Sequence, residues 1–128
     1  MDIWERIGYE LLNNTDITDI VGENIYHGLR PESGDPCINY FEIGYELLGG
    51  DQFEQATYQI SCRASTPGVA QDLARKICVL FQGTKGTVNG FDVQMGTVEN
   101  KLLLSEPDTE LYHVPVDIRF LYSENIVS

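Results

Sequence analysis

Two stretches of strict alternation constrain this chain more than anything else in it. From residue 54 to 64, Ala56, Tyr58, Ile60, Cys62 and Ala64 are separated by Gln55, Thr57, Gln59, Ser61 and Arg63. From 111 to 122, Tyr112, Val114, Val116, Ile118, Phe120 and Tyr122 alternate with Leu111, His113, Pro115, Asp117, Arg119 and Leu121. Successive side chains of a strand point to opposite faces, so each stretch predicts a strand with one buried and one polar face. A sheet built from such strands needs a layer on one side, and helices are the natural cover. Pro115 lacks a backbone donor, which predicts an edge position for the last strand.

The helical periodicities supply that cover. Ile3, Trp4, Ile7, Leu11 and Leu12 recur at helical spacing over residues 2–13, and Asp2 with Glu5 resembles a capping box. Gly8 in its middle costs about 1 kcal/mol against Ala and suggests that another backbone approaches there. Thr66-Pro67 opens a second helix carrying Val69, Leu73, Ile77, Leu80 and Phe81, which Gly83 stops. Between the two lie a short helical turn ended by Val21-Gly22, an extended Ile25-Tyr26, and the loop Arg30-Pro31-Glu32-Ser33-Gly34-Asp35-Pro36. Cys37 to Leu48 then reads as a strand with large groups on both faces, predicting cover on both. Gly49-Gly50-Asp51-Gln52 is turn chemistry that makes 37–64 one long antiparallel hairpin.

After the central helix, Phe91, Val93 and Met95 alternate in an irregular strand over 87–99, with Gly90 and Gly96 predicting bulges. The expected fold is α+β: a mostly antiparallel sheet of four to five strands, packed by the N-terminal helix and one central helix, in the order α-β-β-β-α-β-β. One domain spanning residues 1–128 is expected, since a chain of 128 residues supports a single core.

Charge narrows the function. Twenty acids against eight bases give a net charge of −12, and the bases are dispersed, so the counterion release that drives phosphate binding has no basic surface to work with. Three cysteines, Cys37, Cys62 and Cys78, without CxxC spacing or an apolar leader predict a reducing cytoplasm. No apolar run approaches the roughly 18 residues of a membrane helix.

Chemistry is not visible. The two histidines, His27 and His113, fall on separate predicted strands outside any nucleophilic motif. Metal-ligand spacings and a phosphate-cradling loop are lacking, so neither metal nor cofactor is expected. Glu42 and Glu46, four apart on one predicted strand face, stand about 13 Å from each other, too far to share a proton. What stands out instead is apolar surface in polar places. Leu47, Leu48 and Phe53 crowd the hairpin tip, and Leu102, Leu103 and Leu104 open a connection that should be hydrophilic. These six residues are the candidate contacts with a partner or a further subunit.

In order and type, the N-terminal helix, the Val21-Gly22…Ile25-Tyr26 step, Pro36-Cys37-Ile38-Asn39-Tyr40-Phe41-Glu42-Ile43, Glu54 to Ile60 and the final Tyr112 to Tyr122 resemble the tail terminator, or tail completion, proteins of long-tailed bacteriophages. The resemblance covers most of the chain. It implies a structural, non-enzymatic protein of the virion neck, assembled in the host cytoplasm. There it would close the head-proximal end of the tail tube as a ring, a hexamer by analogy with the family. Its implied partners are further copies of itself, the tail tube protein and the head-tail connector protein, with DNA passing through the lumen unbound. An acidic wall fits that passage because it repels phosphates. Another connector or neck component, or an acidic DNA-mimic inhibitor, are the alternatives.

Overall fold

The computed structural model describes residues 1–29, 35–48 and 53–124. Most of the predicted Pro-bounded loop and all of the Gly49–Gln52 turn lie outside these residues. Three helices, α1 (Ile3–Leu12), α2 (Thr15–Val21) and α3 (Pro67–Phe81), combine with seven strands. The strands are β1 (Ile25–His27), β2 (Cys37–Leu48), β3 (Phe53–Ala64), β4 (Gly86–Val88), β5 (Phe91–Lys101), β6 (Leu104–Glu106) and β7 (Leu111–Glu124). The sheet runs β1-β2-β3-β7-β5-β4, with β6 also on β7. The α+β class is as predicted. The strand count is higher than predicted because two short strands are not separate in the sequence pattern: β4 reads as the start of the irregular strand and β6 as part of a connection.

β4 has a clear cause. Asn89 and Gly90 both adopt positive φ, 50° and 78°, the geometry of a tight hairpin turn, so the predicted irregular strand is a hairpin of β4 and β5. The predicted bulges also move: β5 shifts register between Val93 and Met95 and between Val98 and Asn100, not at the glycines. Gly96 has another role. A Cβ there would meet the Phe81 carbonyl oxygen at 2.5 Å, so its absence lets the end of α3 lie directly on β5, where Gly83 N donates to Gly96 O at 2.9 Å.

Each helix is set by its first residues. Ile3 N donates to Asp2 Oδ1 at 2.6 Å and Asp2 N to Glu5 Oε1 at 2.9 Å, completing the capping box. Asn14 caps α2 through Ile17 N, and Thr66 caps α3 through Val69 N, with Pro67 in the first turn. The stripe that α3 buries is Ala70, Leu73, Ala74, Ile77 and Phe81, whereas Val69 is exposed. On α1, Ile3, Ile7 and Leu11 are buried, while Trp4 and Leu12 are exposed.

The helices share one side of the sheet. Tyr58, Ile60, Cys62, Val114, Val116, Ile118 and Phe120 face them and form the core with their stripes. Phe81 meets Phe120 edge-on at a centroid distance of 5.5 Å, within the range where aromatic pairs attract. Gly8 is close to Tyr40, whose hydroxyl would lie 2.7 Å from an added Cβ. The neighbour is therefore a side chain and not the backbone that the glycine suggested.

Pro115 is not at an edge. β7 is flanked by β3 through eleven paired positions and by β5 and β6 on its other side. The second ladder stops at Lys101↔Val116 and restarts at Leu104↔His113. Pro115 sits at this interruption, a place where a strand tolerates a missing donor. Among the described residues β2 is an edge over Phe41 to Leu48. β1 pairs in parallel with Ile38 to Tyr40 and stops at His27.

Candidate assembly interface

The cover predicted for both faces of β2 exists along only part of it. Cys37 to Tyr40 are buried, whereas Glu42 to Leu47 are all exposed. β2 and β3 pair without a break from Leu48↔Phe53 to Cys37↔Arg63, apart from a register shift between Glu42 and Gly44. The hairpin therefore continues past the helices as an arm. The bulge at Ile43 moves Glu42 and Glu46 onto opposite faces, opposite Tyr58 and Gln55 respectively, so the two are not the same-face pair that their spacing suggested.

The arm is apolar where a solvated strand would be polar. Ile43 is 47% exposed, Tyr45 53% and Leu47 51%, and Phe53 is at 36%; Leu48 is half-buried. The sequence pointed to Leu47, Leu48 and Phe53, but it did not single out Ile43 and Tyr45. In a regular strand these would be core residues, and only the length by which β2 outruns the helices exposes them. Tyr45 Oη donates to Glu54 Oε1 across the hairpin at 2.7 Å. Glu42 and Glu54 surround the arm with negative charge. Together with burial, which is the larger cause, that charge pushes the phenols of Tyr58 and Tyr122 well above their usual range.

The second candidate patch lies at the other end of the sheet. Leu102, Leu103 and Leu104 are all exposed, in the interruption between β5 and β6. The structure brings the three leucines together but does not bring them to the hairpin tip. Glu54 pairs with Tyr122 and Leu104 with His113. Nine residues of β7 separate those positions, about 30 Å at 3.3 Å per residue.

A polar cluster fixes the base of the leucine patch on the face away from the helices. Arg63 Nε donates to Glu106 Oε1 at 3.0 Å and Arg63 also donates to Asn39 Oδ1. The Nδ2 of buried Asn39 donates to the Gly28 carbonyl at 2.9 Å. His113 Nδ1 stands 3.9 Å from Glu106. Glu106 thus joins β6 to β3 through an ion pair and stands next to β7 at His113. His27 is elsewhere, exposed and stacked parallel on Trp4 at 4.5 Å and on Tyr40 at 5.2 Å. Among the described residues no three His, Cys, Asp or Glu side chains converge as metal ligands, and no helix is long and apolar enough to cross a membrane.

The sequence matches the family model described as "Tail completion protein gp17" over residues 7–123. The chain belongs to that family. It is therefore a structural component of a phage tail, with its place in the virion. Among solved structures, a chain of the "Virion of native gene transfer agent (GTA) particle" shares the fold, with a TM-score of 0.75 over 91% of both chains at 9% identity. No curated protein matches the sequence.

Proposed function

We propose that this tail completion protein ends the tail tube at its head-proximal face by closing into a ring, which halts tube polymerisation and presents a surface to the head connector. It does so by association and without catalysis. The observation that carries this is the placement of two different apolar patches at opposite ends of one sheet, one on the β2–β3 arm and one at Leu102–Leu104. A contact between unlike patches is heterologous, and copies joined that way propagate in one direction until the rotation closes a ring. Family membership supports this reading, since it puts the chain in the tail of a virion.

The charge suits the position. At −12 per copy, a ring of these subunits repels phosphates, so DNA would pass through its lumen without being held. The tail tube protein and the connector would meet its two flat faces.

The test is light scattering of purified protein, alone and with tail tubes, followed by electron microscopy of the tube ends. Closed rings in solution or on tube ends, with tubes of fixed length, are the expected result. A monomer that leaves tube ends growing and uncapped would refute the proposal.

A further inference from the structure

Lys101 has a property shared by few cations of the chain. Arg6, Arg63, Arg75, Lys76 and Arg119 are each held by a carboxylate. Among the described residues only Lys85 and Lys101 form no ion pair, and both are exposed. Lys101 directly precedes the three exposed leucines. A cation left unpaired on so acidic a protein, next to an exposed apolar patch, is a surface whose complement would be apolar and negative.

The arm has that composition. On the helix-side face beyond the helices, Tyr45 and Leu47 are paired with Ala56 and Glu54, and Glu42 precedes them opposite Tyr58. Glu42 is exposed and forms no ion pair. Along Phe41 to Leu48 the outer side of β2 carries no strand among the described residues, because β1 reaches only as far as Tyr40. By contrast, the opposite edge is blunted by short β4, by two bulges in β5 and by Gln82 Oε1, which accepts from Val98 N at 2.8 Å. Among the described residues one edge is protected and the other is open.

We propose that the Lys101–Leu104 segment of one copy docks on the β2 arm of the next, with its leucines against Tyr45 and Leu47 and Lys101 beside Glu42. The occupant is a second copy because one chain carries both complements where they cannot meet within one molecule: Leu104 and Leu47 fall at levels of β7 nine positions apart, about 30 Å by the strand rise, and Lys101 and Glu42 lie on β5 and β2, three strand spacings or about 14 Å apart across one sheet. The contact rests on the ring proposed above and specifies which surfaces close it. Charge at such a contact fixes partner and register more than affinity, since a like-charge juxtaposition costs far more than the matched pair gains.

A charge swap tests the contact on the full-length protein, with circular dichroism checking that each variant is folded. Lys101→Glu should weaken self-association at least about ten-fold, as should Glu42→Lys. The double variant Lys101→Glu/Glu42→Lys should recover most of the loss. Lys85→Glu, which makes the same change in net charge from the other unpaired cation, should leave assembly unchanged.

Equal effects of Lys101→Glu and Lys85→Glu, or a swap that restores nothing while the wild type still forms rings, would overturn the contact and leave the ring intact. Loss of tube capture with self-association intact would overturn it too, assigning the patch to the tube protein. A wild type that forms no ring, alone or on tubes, removes both.

Discussion

Single residues decide how closely the layers approach. Gly96 is the sharpest case. Its missing Cβ would collide with the Phe81 carbonyl, and backbone cannot yield as a side-chain tip does, so Gly96→Ala should destabilise the fold by about 2–3 kcal/mol in urea titration. Ser61 is the opposite case. Its Oγ is buried without a hydrogen-bond partner, so Ser61→Ala removes a group that only costs desolvation, and stability should stay unchanged or rise by up to about 1 kcal/mol. Neither effect is visible in sequence. Gly96 reads as a bulge because its neighbour across space is fifteen residues distant in the chain, and Ser61 reads as an ordinary polar-face position because nothing local shows that this face is covered there.

Elements were legible where periodicity was long. α1, α3, β3 and β7 follow from their residues alone, because a stripe repeated over three turns or an alternation over ten residues leaves no competing assignment. Of the short strands β1 is legible and β4 and β6 are not, and Gly90 reads as a bulge in one irregular strand although Asn89-Gly90 is a hairpin signal. For the candidate interface, the leucines and the hairpin tip were legible as apolar residues in polar places, whereas Ile43 and Tyr45 were not, since their exposure depends on how far β2 outruns the helices.

Arg6 shows how elements are tied together. It is buried on α1, paired to Glu10 at 2.9 Å, and donates to the carbonyls of Gly86 and Phe91 at 3.0 and 3.3 Å. Arg6→Ala should cost about 2–3 kcal/mol, read as a fall in the denaturant midpoint, by leaving those acceptors unsatisfied. Tyr40, Tyr58 and Tyr122 join β2, β3 and β7 in a shared pH dependence, since burial raises all three phenols above 10.0. A raised folded value favours the neutral form in the fold. The stability this gives is complete below the unfolded value near 10.0 and is lost as pH climbs toward the raised values. Denaturant midpoints should therefore hold up to about pH 10 and fall progressively above it, and phenolate absorbance should appear together with unfolding.

At the scale of the whole molecule, charge opposes compactness. Raising ionic strength from about 0.01 M to about 0.15 M shortens the Debye length from about 30 Å to about 8 Å. A chain at −12 should gain thermal stability over that range, measured as a higher midpoint in calorimetry. The arrangement of the two patches has a mechanical consequence. In the head-to-tail ring proposed above, the line from Leu47 to Leu104 would follow the circumference and run mostly along β3 and β7. Outward pressure would pull these strands past one another lengthwise, and their eleven paired positions would resist together instead of opening one by one. The sheet would then act as a hoop loaded in shear, the direction in which a β-ladder is hardest to break.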